Sequence, residues 1–335
     1  MRKLLSHPWA LVGIAVSVLF LGLAFWNVDF GALADILLSA HRPLVAAVLV
    51  LNFVVIAFKG YRWCAIIGAS APVTFVDATL ATLIGYMANA ILPARSGELV
   101  RVLVLGQRAR LSRTMLAGAL LVDHLLEGAS MVAIMLTLPL LLPTPPWIRT
   151  ATVAVGAVVA GFGLVAGLLA RSDNTQLIGR LPKAWQTRAL AMAAKLSDGL
   201  RALTHGPRLL LVVGVALSAW LLQAAMLWVC LQATDLQVTF VESLFVLMAI
   251  NVAALIPGAP SSVGPFEFAA VLALGFLGIP KTPALTAALL YHFVQVLPTV
   301  AAGLLALPLA GLGFRDLSRR DSDHAEAAKT AAPPP

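Results

Sequence analysis

Runs of about twenty apolar residues, separated by short polar stretches, predict membrane-crossing helices over residues 9–26, 43–66, 115–142, 150–170, 209–233 and 283–311. At 1.5 Å per residue each can cross a hydrocarbon core of about 30 Å. Two further apolar stretches are interrupted. Residues 74–105 break at Pro93, and Arg95, Gly97, Glu98 and Arg101 follow the break. Residues 240–278 break at Pro257 and carry Gly264 and Glu267 beyond it. Proline removes a backbone donor and ends or kinks a helix. A charge at bilayer depth costs roughly 3 kcal/mol on insertion scales. A broken apolar segment with charges at the break is the sequence pointer to a carrier's binding site.

The second interrupted stretch echoes the first. TFVD at 74–77 matches TFVE at 239–242, an offset of 165; Pro93 matches Pro257 at 164, Gly97 matches Gly264 at 167 and Glu98 matches Glu267 at 169. His124 and His292, each within an apolar run, are 168 apart. So narrow a drift predicts a duplication, with halves over 9–142 and 150–311, against coincidence between two Leu/Ala-rich segments.

Composition fixes the class. Of 335 residues, 60% are hydrophobic and 11% are charged, where soluble domains carry about 25%; mean hydropathy is +0.94. The expected fold is an all-α polytopic membrane protein with about six full spans and two opposed re-entrant hairpins in an inverted repeat. It forms a single transmembrane domain over 1–314. Little of the chain is left for a soluble enzymatic domain. The basic residues sit in loops between spans, so they predict topology rather than nucleic-acid binding. Cys64 and Cys230 read as small buried apolar residues, and neither metal nor cofactor is expected. The first apolar run resembles a signal peptide, but it continues as FWNVDF with no A-x-A-like site, which predicts a signal anchor and first span. Residues 172–207 interleave basic and apolar positions and predict an amphipathic segment on an anionic lipid surface. Residues 315–335 predict a disordered tail.

With the N-terminus inside, and each hairpin leaving on the side it enters, eighteen Lys and Arg lie inside. Only Arg42, Arg149 and Lys281 lie outside. This bias predicts a multi-pass protein of the cell inner membrane with both termini cytoplasmic. Lys59, Tyr61, Arg62 and Trp63 read here as an interfacial group ending the second span. Three spans separate the hairpins, so the halves are inverted, which is the architecture of alternating-access carriers.

The charges at the breaks suggest the chemistry. Arg95 and Arg101 are forks suited to phosphate, beside a half-helix start whose free donors favour an anion. Glu98 lies three residues from each and can pair with either. Asp123 and Glu127, at i and i+4 with His124 beside them, and Glu267 with His292 in the second half, are candidates for a proton or charge relay. The alternative is a static buried ion network. Asp77 and Glu242 read as charges at helix starts. Asn89, Asn251, Gln223 and Gln295 can line a cavity or bond between helices.

Four motifs carry a resemblance: PARSGELVR at 93–101, VDHLLEG at 122–128, PSSVGPFE at 260–267 and YHFVQVLP at 291–298. With them the chain, over roughly residues 5–315, resembles the lysylphosphatidylglycerol synthase transmembrane-region (flippase-like) family. His124 stands where that pattern usually carries Arg, and His292 also replaces an Arg. The synthases' soluble aminoacyl-transferring domain does not occur in these residues, so the resemblance does not imply lipid aminoacylation. It implies translocation of a membrane lipid or lipid-linked substrate, with Arg95, Gly97, Glu98, Arg101, Gly264 and Glu267 as the substrate-binding set. A non-transporting envelope-biogenesis scaffold and an intramembrane lipid-phosphate enzyme are the alternatives. No H-E-x-x-H or paired Asp box appears and Ser96 has no evident base, so no enzyme is expected. Anionic lipids at the cytoplasmic surface are expected partners, nucleic acid is not, and self-association stays open.

Overall fold

The computed structural model describes residues 8–92, 96–170, 186, 206–256 and 260–311. Arg95, Pro93 and Pro257 lie outside these, as do the tail 315–335 and, apart from residues 186, 206 and 207, the surface segment 172–207. Every regular element among the described residues is helical: α1 Pro8–Phe25, α2 Phe30–Ser39, α3 Arg42–Ile67, α4 Phe75–Ile91, α5 Gly97–Arg108, α6 Arg113–Leu141, α7 Pro146–Ala170, α8 Gly206–Ala233, α9 Phe240–Ala253, α10 Pro265–Phe276 and α11 Lys281–Ala306. Short 3₁₀ turns sit at Pro260–Ser262 and Pro308–Ala310.

Five of these, α3, α6, α7, α8 and α11, are long and apolar enough to cross a membrane, and α1 with α2 makes a sixth if the pair is one span. The chain is therefore a multi-pass, all-α membrane protein. Large apolar side chains such as Leu38, Leu140, Leu210 and Leu305 stand exposed, as a lipid-facing surface requires. Helix α2 is an addition to the predicted elements. Asn27 takes a left-handed φ of 57°, and the Asp29 carboxylate accepts from Gly31 N and Ala32 N at 2.9 and 3.1 Å. That cap starts a new helix turned 87° from α1.

Both interrupted stretches fold as antiparallel hairpins. In the first, Asp77 pairs with Arg108 at 2.6 Å at the base, and Gly97 N donates to Asn89 Oδ1 at 2.8 Å near the tip. In the second, Phe245 and Phe276 meet at 5.8 Å, setting the start of α9 against the end of α10. Helices of 17, 12, 14 and 12 residues reach about 26, 18, 21 and 18 Å, short of the ~30 Å apolar core. The TFVD/TFVE echo becomes a repeated cap. Thr74 Oγ1 accepts from Asp77 N, and Thr239 and Glu242 form a reciprocal capping box.

The hairpins enter from opposite ends. α3 and α8 pack antiparallel: Arg208 donates to Gly68 O at one end, and His41 N donates to Ala233 O at the other. Hairpin α4–α5 begins just beyond Gly68, and hairpin α9–α10 just beyond Ala233. Two apolar cores follow this division. One packs Trp63, Leu105 and Leu116 around the first hairpin; the other packs Trp220, Phe245 and Tyr291 around the second.

Candidate functional site

Side chains from α3, α5 and α6 converge on a buried ion network. Arg62 Nε donates to Asp123 Oδ1 at 2.6 Å and Arg101 Nη1 to Asp123 Oδ2 at 3.0 Å. Glu127 accepts from Arg62 Nη2 at 3.2 Å and from Lys59 Nζ at 2.8 Å. Asp123 and Arg62 are each 1% exposed and Arg101 is 3% exposed. The Arg101 guanidinium lies 4.0 Å over the Trp63 ring, a cation–π contact that partly replaces lost hydration. The i, i+4 spacing predicted that Asp123 and Glu127 share a helix face, and they do. Each carboxylate meets two cations, so the arrangement is a charge-compensated network rather than a carboxylate dyad. Arg62 Nη1 and Arg101 Nε and Nη2 have no partner among the described residues, so donors are in excess.

A carboxylate–histidine contact recurs at the start of each hairpin's second helix. Glu98, in the first turn of α5, lies 3.6 Å from His124 on α6. Glu267, in the first turn of α10, lies 2.5 Å from His292 on α11. The correspondence in sequence is thus a correspondence in contact. The two pairs differ in burial: His124 is 46% exposed at its side chain and His292 only 9%. Glu98 also accepts from Asn89 Nδ2 at 3.2 Å, and Glu267 accepts from Gly264 N at 2.7 Å.

Between the hairpin tips lies a cavity of about 250 Å³. Tyr86 and Asn89 of α4 line it from one hairpin, and Ser261 and Phe266 from the other. Helix α3 contributes Asn52 and Lys59, α8 contributes Gln223, and α11 contributes His292, Gln295 and Thr299. Asn52 Nδ2 donates to Thr299 Oγ1 at 3.0 Å. Ser261 and Ser262 hold left-handed φ values of 58° and 57°, a conformation costing roughly 1–2 kcal/mol per non-glycine residue. The strain falls where the second tip enters the wall.

Several sequence-predicted site residues stand behind this wall rather than in it. Arg101, Glu98 and Glu267 hold partners that face the cavity or the network, and none of the three lines the cavity. At Gly97 and Gly264, expected to contact substrate, the structure shows close backbone approach. A Cβ at Gly97 would sit 2.1 Å from Gly85 O, and one at Gly264, where φ is +98°, would sit 2.5 Å from Ser17 O. His292 does line the cavity. Asn89, Gln223 and Gln295 join it there, whereas Asn251 bonds to its own helix at Leu247 O.

Lys59 and Arg62 were missed. The interfacial reading of 59–63 is corrected by packing: Arg62 and Trp63 are fully buried, and Lys59 lines the cavity. Basic residues near a helix end ordinarily snorkel to the headgroups. Here Glu127, one turn beyond Asp123, holds them inside. The spacing of Lys59 and Arg62, which puts them on one helix face three residues apart, was the available signal.

No curated protein matches the chain. The family model for the lysylphosphatidylglycerol synthase TM region matches residues 10–303, which span α2 through α10 in full and most of α1 and α11; the chain belongs to that family.

Proposed function

We propose that the chain is a carrier, moving an anionic or isoprenoid-type lipid or a lipid-linked precursor between leaflets by alternating access. The observation that supports this most is the meeting of two broken hairpins, entering from opposite ends, at one polar cavity. Discontinuous helices in inverted halves let a carrier open one site to either side in turn. On this reading residues 9–142 and 150–311 rock about the cavity. Its volume of about 250 Å³ is below the ~300–1,000 Å³ of ordinary small-molecule pockets. That suits a headgroup whose chains stay in the lipid. Lys59, whose ammonium lines the cavity with Glu127 behind it, is the group an anionic headgroup would meet. We read the chain as non-enzymatic, since its sequence carries no H-E-x-x-H or paired Asp box. Residence in the inner membrane with both termini cytoplasmic accords with the charge bias, which stays at sixteen to three after Lys59 and Arg62 are counted as buried.

The test is leaflet transfer in vesicles. Purified protein is reconstituted with fluorescent phospholipids and lipid-linked phosphates, and transfer is followed by bleaching of the outer leaflet with an impermeant reductant. The protein should accelerate transfer over protein-free vesicles, and Lys59→Gln should lower the rate about tenfold or more at equal incorporation. Transfer no faster than in empty vesicles for every lipid sinks the carrier reading.

A further inference from the structure

We propose that the inter-hairpin cavity is built for a hydroxyl-rich headgroup bearing one phosphate, and is built against a cationic headgroup. The inference rests on the carrier reading of this cavity and specifies what it takes. Among the described residues the wall carries one full cation, Lys59, and no carboxylate. Glu127 stands behind Lys59, and Glu98 behind Asn89, where its Oε1 accepts from Asn89 and its Oε2 lies 3.6 Å from His124. The Lys59 ammonium, paired with Glu127 at 2.8 Å behind it, is the charge a phosphate would meet in the described wall, whereas a cationic headgroup would find no carboxylate there to pair with.

The rest of the polar wall is neutral and dominated by amides. Asn52, Asn89, Gln223 and Gln295 come from four different helices. Each amide has two donors and one two-lone-pair acceptor. Contacts to Thr299, Glu98 and Gly97 N hold two of them in place without exhausting that capacity. Gln223 Oε1 is a buried acceptor with no partner among the described residues. A phosphodiester anion or a doubly ionised phosphate has no proton to give it; a hydroxyl does. Amides that both donate and accept match hydroxyls, which do the same. Two rings complete the wall. Phe266 is fixed by stacking on His292, with ring centroids 4.1 Å apart, and Tyr86 lies beneath the Lys59 ammonium at 5.6 Å. The electron-rich face of such rings accepts the C–H face of a polyol. At about 30 Å³ per water, the cavity of about 250 Å³ holds roughly eight waters. A phosphoglycerol or a single sugar phosphate fills that space.

The experiment is competitive lipid retention by the full-length protein, read by native mass spectrometry. The probes are phosphatidylglycerol, a hexosyl polyprenyl phosphate, phosphatidic acid and lysylphosphatidylglycerol. At least one of the first two should be retained about tenfold over phosphatidic acid, the worth of one or two hydrogen bonds, and which of them leads separates glycerol from sugar as the source of the hydroxyls. Lysylphosphatidylglycerol should be retained least. Gln223→Leu and Gln295→Leu should erase the preference for hydroxyls while leaving phosphatidic acid retention unchanged. Lys59→Gln should weaken every phosphate lipid alike and keep that preference. Equal retention of phosphatidic acid and both hydroxylated lipids by the unaltered protein overturns the inference, as does retention of lysylphosphatidylglycerol equal to phosphatidylglycerol; neither outcome depends on a variant folding. Leaflet transfer in the same preparations separates the two ideas. Preference without transfer removes the carrier reading alone, and transfer without preference removes this inference alone.

Discussion

Asp123→Ala removes the one carboxylate that serves two buried arginines. Arg62 keeps Glu127 at 3.2 Å, but among the described residues Arg101 is left with only its Trp63 stack. At an effective dielectric of 20, a unit pair 3.0 Å apart attracts by about 5–6 kcal/mol. Desolvation takes back part of this, so breaking such a pair from one side costs about 3–5 kcal/mol. At roughly 1.4 °C per kcal/mol for 335 residues, the detergent-solubilised protein should melt about 4–7 °C below its parent by tryptophan fluorescence. Arg101→Met alone should cost less, because Asp123 keeps Arg62. The double variant should be milder than the sum of the two singles by at least about 1 kcal/mol, since the orphaned Arg101 charge is then absent. A melting point within about 2 °C of the parent for Asp123→Ala, or strict additivity in the cycle, would refute the idea that this network is held by mutual compensation.

Gly264→Ala should destabilise by several kcal/mol or prevent folding, because the Cβ meets Ser17 O at 2.5 Å and φ is +98°. Gly161→Ala, with nothing within 4 Å, should melt at or above the parent; equal effects at the two sites would contradict the close approach of α1 to the second tip. Thr239→Ala removes half of the capping box and should cost about 1 kcal/mol, measurable by chemical unfolding, whereas no loss would mean the second hairpin's base does not need its cap. Single cysteines introduced at Thr74 and Thr239, with Cys64 and Cys230 replaced, should react with an impermeant maleimide from opposite sides of the membrane; labelling of both from one side would contradict the opposed hairpins.

The sequence by itself determined the class, the span positions and the two interruptions. Long apolar runs admit few other solutions in lipid, and TFVD and TFVE carry their own capping chemistry. Its matching offsets also aligned Glu98 with Glu267 and His124 with His292, but the contact of each carboxylate with its His came from the structure, where Glu98 meets Asn89 and His124 and Arg101 turns to Asp123. The sequence did not determine which way an apolar helix faces. In a soluble protein the polar side of a helix marks the outside, but in a bilayer the surroundings are as apolar as the core, so α3 gives no such sign. Only the approach of Asp123 and Glu127 on α6 decided that Lys59 and Arg62 turn inward rather than out to the headgroups. Likewise, only packing showed that Gly97 and Gly264 make room for Gly85 and Ser17. The cavity wall itself was assembled from single polar residues on separate helices, a grouping that distance in space creates and spacing along the chain does not encode.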